Sequence, residues 1–385
     1  MSSTLSPVVI RFGRLGDTVL LQPVLRKLRL RYGSPCRLLS LGPWSSKLYA
    51  DQPDVLQVIS FSKQSGSLWF NPQRLRAAWA LRDLRESPFY ICEPDVRAQT
   101  KVTPMLKLAG IPAEHCTFIE SMPMRSDEHW VDWLLRFGDE TPMAFRATHS
   151  AEKVDVFAAP TFLASMAERD DLKAWLRLQG LQRKPLVLLQ PANKRTMRWN
   201  GVRASEDDPK SWPTEHWAAL AQAINRYLPG AQIVLCGSSA EAAYLRCIKA
   251  ASSHAAITVA AGDLPLGRLR ALLEIAHSMI SVDTGPAHLA AATGCPLVVL
   301  FGACSPLTWA PRSATGSAVS VLGGLPTIRR VDELNLAQVL AAWRSVSENG
   351  ARQDRIPQDI AESTTDAREN SIRSTHSQIY DGGLS

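Results

Sequence analysis

At 385 residues with 45% apolar content, the chain is long enough for two domains of ordinary size, each with its own core. Its formal net charge of +7 favours anionic partners, namely nucleotides, phosphorylated glycans, membrane surfaces or nucleic acid, and chooses none of them by itself. Seven scattered cysteines without a CxxC pair read as reduced thiols rather than a disulfide framework, and charges interrupt every apolar run before membrane-spanning length.

The N-terminal stretch "MSSTLSPVVIRFGRLGD" has no basic region followed by an apolar one, so a cytoplasmic protein is expected, with peripheral contact to the inner membrane left open. The first predicted strand covers 8–12, followed by a glycine-bounded loop and a helical pattern over 17–32, kinked at Pro23. Strand patterns recur in "CRLLSLG", "VLQVISF" and "FYICE", with helical stretches over 71–85 and 97–109. The pattern weakens over 140–184, apart from a helix expected over 163–178. A second series then begins: strand 186–190, helix 213–227, strand 232–236, helices 240–250 and 266–276, strand 279–282, helix 286–293 and strand 297–301. Repeated βα winding implies two mostly parallel sheets with helices on both faces, a pair of doubly wound α/β domains facing a cleft. The divisions expected are residues 1–160, 161–347 and a polar tail over 348–385 that is too poor in large apolar residues to fold.

In such sheets ligands bind where strands pass into helices. "SVDTGPAHLAAATGCPLVVLFG" places Asp283, Thr284 and Gly285 at such a turn, with Pro286 starting a helix and Gly294 ending it. Free N–H groups and the positive dipole end can cradle a diphosphate there, with the Thr284 hydroxyl and His288, as imidazolium, adding donors. The plainer alternative is a helix capped by Asp283 or Thr284 with a surface histidine. In "RFGRLGDTVLLQP", Gly13-x-x-Gly16-Asp17 lacks the dinucleotide spacing but puts Asp17 at the mouth of the first sheet, either as a general base or as an N-cap. Lys210 precedes a helix and can meet a phosphate. Asn193, Lys194, Arg195 and Arg198 in "QPANKRTMRW" compete for that duty. Glu241, after a strand, suits a ribose hydroxyl or else a first helical turn. Arg14, Arg26, Lys27, Arg97 and Lys101 are candidate contacts for an anionic acceptor, with solvated helix charges as the alternative. Among eleven tryptophans, Trp44, Trp199, Trp212 and Trp309 occupy loop-like positions where stacking on sugars competes with packing.

Together "GRLGDTVLLQPVLRKLR", "KSWPTEHWAAL", "LCGSSAEAAYL" and "SVDTGPAHLAAATGCPLVVLFGACSP" resemble glycosyltransferase family 9, the bacterial ADP-heptose:lipopolysaccharide heptosyltransferases, in order over most of 7–315. The most specific element is D-[TS]-G-P-x-H-x-A-A-A-x-G-x-P before an apolar strand. The resemblance implies the GT-B architecture, with acceptor on the first domain and nucleotide sugar on the second. It implies inverting transfer with Asp17 as base, a donor diphosphate on Lys210 and the 283–288 loop, and Glu241 on the donor ribose. No obligatory cofactor or metal is expected, since the chain contains no D-x-D. The implied partners are ADP-heptose and an anionic glycan or glycolipid acceptor, with nucleic acid not expected. "PANKRTMR" departs from the short hydroxyl-bearing phosphate loop of the family, so Lys194, Arg195 and Lys210 all remain candidates for the phosphates. A catalytically silent nucleotide-sugar binder and an epimerase of similar build are the alternatives.

Overall fold

The computed structural model describes residues 5–62, 68–149, 153–198, 201–203, 207–253 and 255–350. The first sheet is built from β1 (Val8–Arg11), β2 (Cys36–Leu41), β3 (Val55–Phe61), β4 (Phe89–Ile91) and β5 (Cys116–Phe118), in the order β3-β2-β1-β4-β5. All its pairings are parallel. The central strands β1 and β4 are buried along their whole length, as a parallel sheet covered on both faces requires.

The helices of this half are α1 (Leu15–Leu20), α2 (Gln22–Tyr32), α3 (Trp44–Tyr49), α4 (Pro72–Leu81), α5 (Thr103–Ala109) and α6 (Trp130–Phe137). The helix expected over 17–32 is two helices broken at Leu21, because Pro23 enters the first turn of α2 without an N–H to continue α1. Helix α7 (Met166–Leu178) opens on a capping box in which Ser165 and Glu168 satisfy each other's N–H groups, a pairing written in the sequence as S-x-x-E.

The second sheet contains β6 (Leu186–Gln190), β9 (Gln232–Gly237), β10 (Ile257–Ala261), β11 (Ser278–Val282), β12 (Leu297–Phe301) and β13 (Val319–Gly323). Its order is β10-β9-β6-β11-β12-β13, again all parallel. A two-residue pair, β7 (Met197–Arg198) and β8 (Gly201–Val202), interrupts the loop after β6. The accompanying helices are α8 (Thr214–Tyr227), α9 (Ala242–Ala251), α10 (Leu266–Ile275), α11 (Gly285–Ala292), α12 (Pro306–Trp309) and α13 (Leu336–Gly350). Helix α13 runs three residues into the expected tail, and 351–385 lie outside the described residues.

Both strand orders reverse direction at one point, between β1 and β4 in the first sheet and between β6 and β11 in the second. A crevice opens at the carboxyl ends of strands at such a reversal. The loops and first helical turns at these points carry Arg14, Asp17 and Arg97 in one sheet, and Asn193, Lys194, Arg195, Lys210 and Asp283 in the other.

One apolar cluster runs from the first sheet into the second through Tyr49, Phe162 and α10–α11. The Tyr49 and Phe162 rings meet edge-on at 5.5 Å, and Arg270 on α10 donates to the Leu48 carbonyl at 3.0 Å. Among the described residues no helix is long and apolar enough to cross a membrane. Leu189, in the middle of β6, is fully buried. Leu189→Ala is expected to lower unfolding stability by about 2–5 kcal/mol, read from the denaturant midpoint.

Candidate functional site

The end of β1 is an arginine. Arg11 is 3% exposed, and its guanidinium reaches over the β1 loop to Asp17, with Nη2 2.6 Å from Oδ1. The other oxygen, Oδ2, accepts the Arg14 N–H at 2.9 Å. Asp17 is therefore not the N-cap of α1. That place belongs to Arg14, and Asp17 folds back from the third helical position. The fold-back needs Gly13, since a Cβ there would overlap the Cβ of Asp17.

Burial acts to raise the Asp17 pKa, but the charge of Arg11, the Arg14 N–H, the Arg11 hydrogen bond and the charge of His288 together outweigh it. The carboxyl is held below its ordinary range. Behind Arg11, fully buried Glu93 lies 3.6 Å from Nη1, accepts the Phe12 N–H, and pairs with Arg97 at 3.2 Å. The Arg11 guanidinium also lies 4.7 Å over the Trp130 ring. Sequence reasoning missed Arg11, Glu93 and Trp130. The available signal was an arginine closing an otherwise apolar strand.

The second sheet contributes the facing half. Thr284 is the N-cap of α11, yet its side chain makes no cap bond; its hydroxyl lies 3.1 Å from the Ser281 hydroxyl. Asp283 does not cap either, because its carboxylate pairs with Lys210 Nζ, which also donates to the Asp283 carbonyl at 3.2 Å. The capping alternative for this motif is thereby removed, and among the described residues no side-chain cap bond is made to the N-terminal N–H groups of α11. Lys210 is held by a tight turn in which its N–H donates to buried Asp208, and Gly302 lets the 208–210 backbone approach the β12 loop. Gly294 ends the α11 turn with φ +83°, as its position in the sequence predicts.

His288 differs from expectation. It is buried rather than on the surface, and burial pulls its pKa down despite the nearby Asp283 and Asp17 carboxylates, so it is a neutral imidazole and not an imidazolium. Nε2 lies 3.9 Å from Asp283 Oδ1. A Cβ on Gly16 would sit 2.9 Å from His288 Cδ2, and one on Gly285 would sit 2.7 Å from the Leu15 Cβ. The two glycines thus let α1 and α11 bring their N-terminal turns together across the cleft.

Lys194 sits beside this junction. Burial first, and then the charges of Arg14, Arg195 and Lys210, lower its ammonium pKa. Cations from both sheets are therefore crowded together, and among the described residues only Lys210 of the four has a carboxylate partner. Such a cluster suits a multiply charged anion. Asn193 is not part of the open surface. It is buried, with Nδ2 donating to Asp208 at 2.8 Å and Oδ1 accepting the Arg195 N–H at 2.7 Å, so it shapes the loop. Glu241 stands at the end of β9, with one oxygen accepting the Ser238 N–H at 2.6 Å in a capping box.

Of the candidate acceptor contacts, Lys27 is withdrawn into buried contacts with Asp139 and the Leu135 carbonyl. Arg26 donates to Gln22, and Arg97 spans Asp95, Glu93 and the Phe12 carbonyl. Lys101 lines a cavity of about 690 Å3 on the first-sheet side, together with Trp69 and Lys107. Among the tryptophans, Trp212 is core, donating to the Leu334 carbonyl. Trp44 folds over Gly42, and Trp199 lies outside the described residues. Trp309 is an interface residue, stacked on Trp130 at 5.0 Å.

A family profile described as glycosyltransferase family 9 (heptosyltransferase) matches residues 166–337, which include every second-sheet residue of this cluster. Lipopolysaccharide heptosyltransferase 2 of Salmonella typhimurium is 25% identical over 342 residues, covering 83% of this chain and 88% of that protein. The chain is similar to glycosyltransferase family 9, by profile over residues 166–337 and by sequence over most of its length. The solved structure of the ADP-heptose lipopolysaccharide heptosyltransferase II of E. coli superposes with a TM-score of 0.67 at 19% identity, covering 90% of this chain and 99% of that one. The E. coli heptosyltransferase WaaC with ADP gives 0.58 at 16% identity over 89% and 100%. These likenesses establish the two-sheet GT-B fold.

The junction of the two halves is locked on the other side by His129, the N-cap of α6, whose Nδ1 accepts the Val131 N–H while Nε2 donates to the Ala310 carbonyl at 2.9 Å. Burial, and then the charge of Arg312, lower its pKa from 6.5 to about 4. The unfolded state therefore binds more protons than the folded one across this interval, and the stability it confers is present above pH 6.5 and lost as pH falls toward about 4. His129→Gln, which keeps both hydrogen-bonding functions but does not titrate, is expected to flatten the acid limb of a Tm-against-pH curve over that interval.

Proposed function

We propose that this chain is an inverting glycosyltransferase that moves heptose from ADP-heptose onto a lipopolysaccharide core glycan at the cytoplasmic face of the inner membrane. The observation that carries the reading is the approach of Asp17 to the uncapped N-terminus of α11, made close by Gly16 and Gly285. It is supported by the family 9 profile match over residues 166–337, by relatives named as lipopolysaccharide heptosyltransferases, and by the likeness to a solved heptosyltransferase structure described as containing ADP.

In this reading the unit around the first sheet, up to about residue 160, receives the acceptor, and the unit around the second receives the donor. The diphosphate lies against the α11 N–H groups, with Lys210 and the Lys194–Arg195 loop neutralising it and neutral His288 donating a hydrogen bond. Glu241 faces the donor ribose with its second carboxylate oxygen. Binding displaces the Lys210 ammonium from Asp283 toward phosphate.

The chemistry follows from the electrostatics. A carboxylate held below its ordinary range is ionised at neutral pH and only weakly basic. Asp17 therefore takes the acceptor hydroxyl proton as the new C–O bond forms, not before. The acceptor oxygen attacks the anomeric carbon, the bond to the diphosphate breaks on the opposite face, and ADP leaves with its added charge met by preorganised donors.

The test is heptose transfer from ADP-heptose to a heptose-deficient core acceptor, followed by ADP release. Asp17→Asn is expected to lower kcat by about 10²–10⁴ with unchanged ADP affinity. Full activity in that variant removes Asp17 from the mechanism, and absence of transfer by the unaltered chain to any core acceptor removes the reading.

A further inference from the structure

Trp69, Phe70 and Trp79 are 68%, 89% and 62% exposed and lie in one short segment formed by the turn before α4 and α4 itself. The helix explains why. It buries Arg74, Ala77, Ala78 and Leu81 against the first sheet, which leaves Pro72, Gln73, Arg76, Trp79 and Ala80 facing outward. Trp79 is on the solvent face by helical geometry, and a different pairing of the core would not bury it. Large apolar side chains scattered singly over a surface are ordinary; three aromatics gathered on one segment mark a contact surface.

The charges around them have one prevailing sign. The Arg82 guanidinium lies 4.7 Å over the Trp79 ring, and Arg76 and Arg85 are exposed on the same segment, opposed by Asp83 and Glu86. The cavity beside Trp69 adds Lys101 and Lys107 from the neighbouring helix. We propose that this aromatic and basic face docks on an anionic lipid bilayer. Indole and phenyl rings settle at the boundary between headgroups and acyl chains, while arginine and lysine beside them meet lipid phosphates. An arginine already stacked on an indole presents both functions from one site.

The orientation that follows is specific. In a parallel βα sheet the helix N-termini lie at the carboxyl ends of the strands, so Trp69 and Phe70, just ahead of α4, share the edge that carries Arg14 and Asp17. Trp79 and Arg82 lie at the other end of α4, so docking lays α4 along the bilayer, with the Trp69–Phe70 end and the mouth of the first sheet beside the surface where a glycolipid acceptor is anchored. This last step rests on the proposed transfer reaction, whereas the docking face does not.

The experiment is co-sedimentation of the full chain with vesicles of equimolar phosphatidylcholine and phosphatidylglycerol, and with vesicles of phosphatidylcholine alone. The unaltered chain is expected to sediment with the first, less so as salt rises, and not with the second. Trp69→Ser/Phe70→Ser/Trp79→Ser is expected to weaken this binding at least about tenfold. Arg76→Glu/Arg82→Glu should weaken it by about fivefold or more per charge. Both variants should keep ADP binding and transfer to a lipid-free acceptor fragment, which separates loss of docking from loss of fold. Failure of the chain to bind anionic vesicles, equal binding by the triple variant, or a self-association or nucleic-acid affinity that the triple variant abolishes in place of lipid binding, each overturns the proposal. If no acceptor is ever glycosylated while vesicle binding behaves as stated, the docking face stands and the transfer reaction falls.

Discussion

The N-terminal turns of α1 and α11 come from different sheets and meet nearly in contact. Gly16 and Gly285 are what permit it, because a side chain at Gly285 would press on Leu15 and one at Gly16 on the His288 ring. Two helix starts facing each other is an unfavourable arrangement, since each carries partial positive charge on its free N–H groups. The chain answers with carboxylates: Asp17 satisfies the Arg14 N–H within α1, and Asp283 stands immediately ahead of α11, held by Lys210. The cations of the 194–210 loop then leave the local charge positive. The same close approach that creates the electrostatic problem places a carboxylate of one sheet against the uncapped helix start of the other.

Asp17 is tied to the second half in another way. Its partner Arg11 lies on the face of Trp130, and Trp130 stacks on Trp309 from the other sheet, at 4.7 and 5.0 Å. Arg312, also from the second half, makes a two-point contact with Asp132 in the first turn of α6 at 2.6 Å. The charge that holds the carboxylate in position is therefore itself positioned by the closed junction. The Asp17 carboxylate is thus set by contacts that reach both halves rather than by its own loop alone.

Much of this was legible in the chain. Strands such as Leu186–Gln190 and Leu297–Phe301 are almost purely apolar because parallel strands are covered on both faces, and that signal is strong. The turn at 283–288 was legible because Pro286 and Gly294 bracket its helix and leave Asp283 and Thr284 without a packing role. The edge strands Cys116–Phe118 and Val319–Gly323 were not, since each is only partly buried and too short or mixed to show a period. His288 reads in the sequence as an imidazolium donor or else a surface residue, and it is neither, because it is buried against Gly16, distant in sequence. Arg11, Glu93 and the tryptophan pair depend on contacts between elements far apart in the chain, which periodicity does not report. Asn193 and Lys27 look the same in sequence as exposed polar residues, and only packing shows that their side chains turn inward.

The central claim is that a nucleoside diphosphate binds where the two helix starts meet. Calorimetric titration of ADP into the unaltered chain and into Lys210→Ala tests it most directly. The account predicts one site per chain, weakened at least about tenfold in the variant, equivalent to about 1.4 kcal/mol. Equal affinity in the two proteins would contradict it, because the ammonium held against Asp283 would then have no part in meeting the diphosphate.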